Sequence, residues 1–166
     1  MPTLYNAKAV ANHFLWKPTR GERITQMKLH KLLYYAHGWH LGFGQGPLLD
    51  EMVEAWAYGP VVPTVYQEFK DLGSAPINRE AKTFNPKTLD FDTPVIDPSD
   101  PVVSLLDRVW EVYGGLSAVQ LSAMTHAEDS PWTKTRRKHP NIKSVDIPNE
   151  LIEEHFRERL RTKQNG

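Results

Sequence analysis

Three histidines in one stretch of chain are the first residues whose types and spacing could do chemistry. His37 and His40 stand three apart, so on a helix two imidazoles could share a metal ion. A working site also needs a third ligand and an open position, and the HExxH pattern is absent. His30 and His37 fall on one helical face among charged and polar residues, which reads as a solvated surface. No metal site and no cofactor are expected.

His126 is the stronger candidate, within Thr125-His126-Ala127-Glu128-Asp129-Ser130-Pro131-Trp132. As a base it could be oriented by Glu128 or Asp129. The chain has no cysteine, however, and no serine lies in a GxSxG elbow. The structural reading makes Thr125, His126, Glu128, Pro131 and Trp132 a joint between two helices, with polar side chains capping backbone groups and Trp132 anchoring the turn. That reading is preferred, and no catalytic residue is assigned. An acid–base site on His126 and Glu128 is kept as the rival.

Gly42-Phe43-Gly44-Gln45-Gly46 is glycine-rich but follows a helix and lacks the Walker lysine, so it reads as a helix terminator. The run Lys134, Arg136, Arg137, Lys138 and His139 could touch phosphates or an acidic partner, although acidic residues of the last helix could offset it. Lysine plus arginine and aspartate plus glutamate both total 20, whereas duplex binders usually carry a basic excess. Nucleic acid is therefore not the expected ligand.

The segment Glu54 to Pro63 is unlike an ordinary core element. Gly59 permits an unusual backbone angle, and Pro60 and Pro63 stiffen the chain after it. In an extended chain Trp56 and Tyr58 lie on the same side. Two readings stand side by side: the rings fill the core, or they anchor an interface at low entropic cost.

The elements that must position these residues are mostly helical. Asn6 caps a helix over 7–16, which Lys17-Pro18-Thr19-Arg20-Gly21 breaks. Leu29, Leu32, Leu33, Ala36 and Trp39 recur at helical spacing, giving a central helix over 25–41 with Thr25 as N-cap. Residues 48–58 alternate as a short extended element, stopped by Gly59-Pro60 and needing a pairing partner, for which Val145 is the candidate. Pro63 opens a helix through Leu72. Residues 74–99 show no period and read as a long irregular excursion. Helices start again at Asp100-Pro101, at Ser117 with capping-box spacing to Gln120, at Ser130-Pro131, and over 150–160, before a polar tail at 161–166. The expected fold is mainly α: one compact helical bundle over 1–166, with a core over about 6–160 and a small β element near 48–58. No apolar run approaches the ~20 residues that span a bilayer, and a cytoplasmic protein is the simplest expectation.

Four motifs in order resemble a known family. They are Ile24-Thr25-Gln26-Met27-Lys28-Leu29-His30-Lys31-Leu32-Leu33-Tyr34-Tyr35-Ala36, then Ala55-Trp56-Ala57-Tyr58-Gly59-Pro60-Val61-Val62 with Val65-Tyr66, then Leu116 to Ser122, then Thr125 to Trp132. Together they resemble the Panacea domain, also met as SocA-like antitoxins and phage-associated GepA-type proteins. The resemblance implies an antitoxin that neutralises a protein toxin encoded by a neighbouring gene, by direct binding and without a catalytic set. On that expectation Trp56, Tyr58, Gly59, Pro60, Val61 and Tyr66 form the toxin-binding surface.

Overall fold

A computed structural model describes residues 3–19 and 23–165. Local signals set most helix starts. The Asn6 side chain accepts from the Lys8 and Ala9 amides and opens α1 (Ala7–Leu15). Lys17 to Thr19 come after its end, while Arg20 and Gly21 of the expected break lie outside the described residues. Thr25 accepts from the Lys28 amide and opens α2 (Gln26–Gly42). Ser117 and Gln120 form a reciprocal capping box at α5 (Ala118–Thr125). Ser130 caps α6 (Pro131–Lys138), with Pro131 in its first turn. The other helices are α3 (Pro63–Phe69), continued by a 3-10 turn over Lys70–Leu72, α4 (Val102–Tyr113) and α7 (Asn149–Asn165).

The fold is mainly α, built around α2. All residues of α2 except Met27 are buried, and α1, α3, α4, α5, α7 and the strand β2 (Gly59–Val61) pack against it. The tightest contact is with α7. A Cβ on Gly42 would lie 2.7 Å from the Phe156 Cβ, and one on Gly38 would overlap the Phe156 ring. Two glycines one turn apart thus form the notch that seats Phe156, whose ring meets Tyr34, Tyr35 and Trp39 edge-on. Tyr35 stacks on Tyr113 at 4.1 Å, and the Trp39 indole N–H donates to the Tyr113 hydroxyl.

The expected β element is the middle of a three-stranded antiparallel sheet. Strand β1 (Glu54–Trp56) pairs with β2 on one edge and with β5 (Val145–Asp146) on the other, so the Val145 segment is the pairing partner. Gly59-Pro60 does not stop the extended chain. It begins the second strand of a hairpin, because the reversal occurs one residue earlier, at Ala57-Tyr58.

Two further expectations are corrected. Residues 74–99 are not wholly irregular: β3 (Thr83–Asn85) and β4 (Asp90–Asp92) form a two-stranded antiparallel ribbon. Its exposed strands carry no buried stripe, so the sequence lacks the alternation that marks a half-buried strand. The polar segment after Leu160 is not a tail through 165, because α7 continues to Asn165.

Candidate functional site

The hairpin of β1 and β2 is held by groups that the sequence pattern placed in solvent. His30 is buried, at 3% exposure. Its Nδ1 accepts from the Val62 amide at 3.1 Å, so the proton sits on Nε2, which donates to Gln26 Oε1 at 2.9 Å. Gln26 in turn donates to the Tyr66 carbonyl at 3.1 Å. This relay ties the start of α2 to the junction of β2 and α3. Burial, and then the Lys31 charge, push the His30 pKa down to about 3, so the ring is neutral. His37 repeats the device: Nδ1 accepts from the Leu49 amide, and Nε2 faces Asn149 Oδ1 at 2.9 Å. Its pKa falls to about 4, through burial first. The expected solvated face is therefore a buried one. A helix exposed only at Met27 has no continuous solvent face, and its polar residues are matched to polar groups around them.

Lys31 is buried too, at 2% exposure. Its ammonium donates to the Tyr58 carbonyl at 3.1 Å, and burial lowers its pKa to about 8. Gly59 makes this approach possible. Its φ is +125°, and a Cβ there would lie 2.6 Å from Lys31 Nζ and 3.2 Å from His126 Nε2.

The joint between α5 and α6 braces the hairpin from behind. The Trp132 indole N–H donates to the Trp56 carbonyl at 2.7 Å, and the His126 ring stacks on Trp132 at 4.0 Å. Arg136 donates to the carbonyls of Ile142 at 2.7 Å and Ala55 at 3.3 Å. Thr125 is buried, its hydroxyl donating to the Ser122 carbonyl, and Pro131 starts α6. Glu128 does not meet His126: its carboxylate pairs with Arg137 at 2.8 Å on the surface. His126 Nε2 is buried without a hydrogen-bond partner among the described residues. Burial, then Lys31, lower the His126 pKa, and the Tyr58 backbone opposes them.

In front of the hairpin lies an open groove of about 560 Å³. Trp56, Tyr58, Val61 and Tyr66 line it, together with Gln26, Met27, Lys31, Lys70, Ala118 and Val119. Gly59 and Pro60 sit behind these walls as buried β2 residues. The expected common side for Trp56 and Tyr58 is not found, because the chain reverses between them. Trp56 packs edge-on against Tyr66 at 4.7 Å, whereas Tyr58 projects from the turn at 76% exposure. Sequence reasoning missed the far wall, Met27, Lys70 and Val119, since each comes from a different element. Lys31 left one trace: a lysine between the core leucines Leu29 and Leu32.

The basic run is dispersed. Arg136 is used on backbone carbonyls and Arg137 on Glu128, while Lys134, Lys138 and His139 share a cleft with Asp146, Glu150 and Glu154. Among the described residues, no cluster of histidine, aspartate or glutamate is placed to hold a metal, and no helix is long and apolar enough to cross a membrane.

These features can be set beside known proteins. No solved structure matches the chain. Antitoxin SocA of Caulobacter vibrioides (strain NA1000 / CB15N) is 36% identical over 135 residues, covering 79% of this chain and 70% of that protein. The family described as antitoxin SocA-like, Panacea domain, matches residues 29–133, a span that includes most of α2, the hairpin, the groove's far wall at Lys70 and Val119, and Trp132. The chain belongs to the antitoxin SocA-like, Panacea domain family.

Proposed function

We propose that this protein is an antitoxin that neutralises a protein toxin by direct binding, and that the groove in front of the hairpin is the surface it uses. The name of the Caulobacter relative, Antitoxin SocA, supports the role. One observation carries the choice of surface. The groove brings exposed apolar and aromatic groups, Tyr58 at 76% and Val119 at 75%, onto a frame fixed by buried polar bonds. A binding surface held in advance loses little entropy on association, and aromatic anchors supply most of the energy. In this reading the partner is the product of a neighbouring gene and is met in the cytoplasm. No catalytic step is required in this reading, and Glu128 pairs with Arg137 in the structure.

The test is co-expression of the neighbouring gene with and without this chain, then affinity measurement on the purified pair. Arrest of growth that this chain relieves, with a stable complex, is the expected result. Tyr58→Ala removes an exposed ring while leaving the backbone carbonyl that Lys31 holds. It weakens the complex by about 2 kcal/mol, roughly 30-fold, with the fold intact. Wild-type affinity in that variant would exclude the groove, and rescue of growth without any complex would exclude direct binding.

A further inference from the structure

We infer that the groove is selective for a carboxylate: its occupant is an apolar segment of the toxin bearing an aspartate or glutamate side chain that pairs with Lys31. This rests on the reading of the groove as the toxin-binding surface and names the chemistry of what enters it.

Among the described residues the charges of the groove are one-sided: Lys31 and Lys70 line it, and no aspartate or glutamate does. Lys31 is the unusual member. A lysine at 2% exposure normally has a carboxylate partner or enough oxygen acceptors to replace its lost water. Among the described residues it has one acceptor, the Tyr58 carbonyl, and no ion pair. An ammonium carries three donors, so two are unanswered. His126 Nε2, which like Lys31 Nζ lies beside Gly59, offers no negative charge and has no hydrogen bond among the described residues. The contrast within the same helix is direct: Lys28, also buried, is placed on the Gly114 carbonyl at 2.7 Å, at the end of α4, where the helix dipole favours a cation.

The backbone field has the same sign. Residues of the opening turns of α2, Thr25 to Met27, and of α5, Ala118 and Val119, line the groove, so the positive ends of two helix dipoles lie beside it, each with a capped first turn. The apolar and aromatic lining beside Lys31 and Lys70 is Trp56, Tyr58, Val61 and Tyr66. An occupant that covers them with apolar groups excludes water from the Lys31 contact and strengthens it. A carboxylate next to bulky apolar side chains satisfies both requirements. Among the described residues no arginine lines the groove, so it lacks the bidentate fork common at phosphate sites.

The low pKa of Lys31 agrees with this geometry, since a buried cation lacking a counter-charge loses its proton more readily and an arriving carboxylate reverses that cost.

The first experiment needs no toxin. Amide chemical shifts are monitored while 1-naphthylacetate, 1-naphthylacetamide and inorganic phosphate are titrated separately into the full chain. The expected result is saturable shifts at Met27, Tyr58 and Val119 with the acid, and binding of the neutral amide at least ten-fold weaker. Lys31→Met keeps the fold, since an apolar side chain of similar volume replaces an unpaired buried charge. It reduces acid binding at least ten-fold, and Lys70→Met reduces it about three-fold. Equal binding of acid and amide, or undiminished acid binding by Lys31→Met, overturns the inference. Phosphate producing the same shifts with equal affinity also overturns it, in favour of a general anion site. The toxin complex then separates this inference from the reading beneath it. Loss of affinity in Tyr58→Ala but not in Lys31→Met refutes the carboxylate contact alone. Full affinity in Tyr58→Ala removes the toxin as occupant even if the acid binds.

Discussion

Among the described residues two hairpins, each made of two three-residue antiparallel strands, are held in opposite ways. The β1–β2 hairpin is anchored along its whole length. Arg136 and Trp132 bind its first strand at the Ala55 and Trp56 carbonyls, Lys31 binds its turn at Tyr58, His30 receives the Val62 amide just beyond it, and β5 covers its open edge. The β3–β4 ribbon is anchored at its root. Asn12, fully buried on α1, donates to the Ala81 and Pro94 carbonyls and accepts from the Ala81 amide. Beyond that root Phe84, Leu89 and Phe91 are all at least half exposed. A short hairpin has little stability of its own, so shape is imposed on the first by its neighbours and on the second mainly at its base. The first can therefore serve as a rigid platform.

The largest way to break this contrast is acid. The ordinary histidine pKa is 6.5, and in the folded chain His30 and His37 fall to about 3 and about 4. Below pH 6.5 the unfolded chain takes up protons that the folded rings refuse, so their contribution is complete above pH 6.5 and is lost as pH falls toward 4 and 3. At roughly 1.4 kcal/mol per pH unit for each group, up to about 5 kcal/mol disappears between pH 6.5 and 4.5. Urea unfolding at pH 7.0 and 4.5 checks the sum. Hydrogen exchange, corrected for its intrinsic pH dependence, checks the location: protection of the Val62 amide on His30 falls further than that of the Ala81 amide on Asn12. Equal loss at both would show that the buried imidazoles do not distinguish the two hairpins.

The converse perturbation is Asn12→Ala. It strands the buried Ala81 amide and two carbonyls, at a cost of about 2 kcal/mol. The expected signature is faster proteolytic cleavage within 83–92, with the exchange protection of Val62 and affinity for a groove ligand unchanged. If the groove loosens along with the ribbon, the two hairpins are coupled, and the division between rigid and loosely rooted elements is wrong.

The same division explains what the sequence could disclose. Helix starts were legible because caps act within three residues: Asn6, Thr25, Ser117 with Gln120, and Ser130 with Pro131 all perform as their types require. The pairing of Val145 came from the need of an isolated strand for a partner. His30 and His37 were misread because polarity on a helix indicates solvent only when the helix has a solvent face, and α2 is exposed only at Met27. That fact depends on five other helices and β2, each placed by long-range packing. The ribbon was missed for the opposite reason: it touches too little to need an alternating pattern. Of the groove, the contiguous wall at Trp56, Tyr58, Val61 and Tyr66 stood out as unusual. Met27, Lys31, Lys70 and Val119 are ordinary residues until folding brings them to it.

The smallest effect concerns the ribbon tip, where Leu89 has φ +58°. A leucine in the left-handed region carries a cost of about 1 kcal/mol, because its Cβ crowds the next carbonyl. The side chain recovers almost nothing in return, being 77% exposed. Asparagine tolerates this conformation and avoids the added unfolded-state freedom of glycine. Leu89→Asn should therefore raise stability by about 0.5 kcal/mol, read as a small increase in the urea midpoint. The Leu89 amide bond to the Asn85 carbonyl, 2.8 Å long, is a backbone contact and is retained. A gain in midpoint with unchanged cleavage within 83–92 would mean that the strain is local to the turn and that the bonds at the root set how firmly the ribbon is held. A loss of stability would mean instead that the exposed Leu89 side chain supports the ribbon, which would then be less different from the anchored hairpin than its contacts imply.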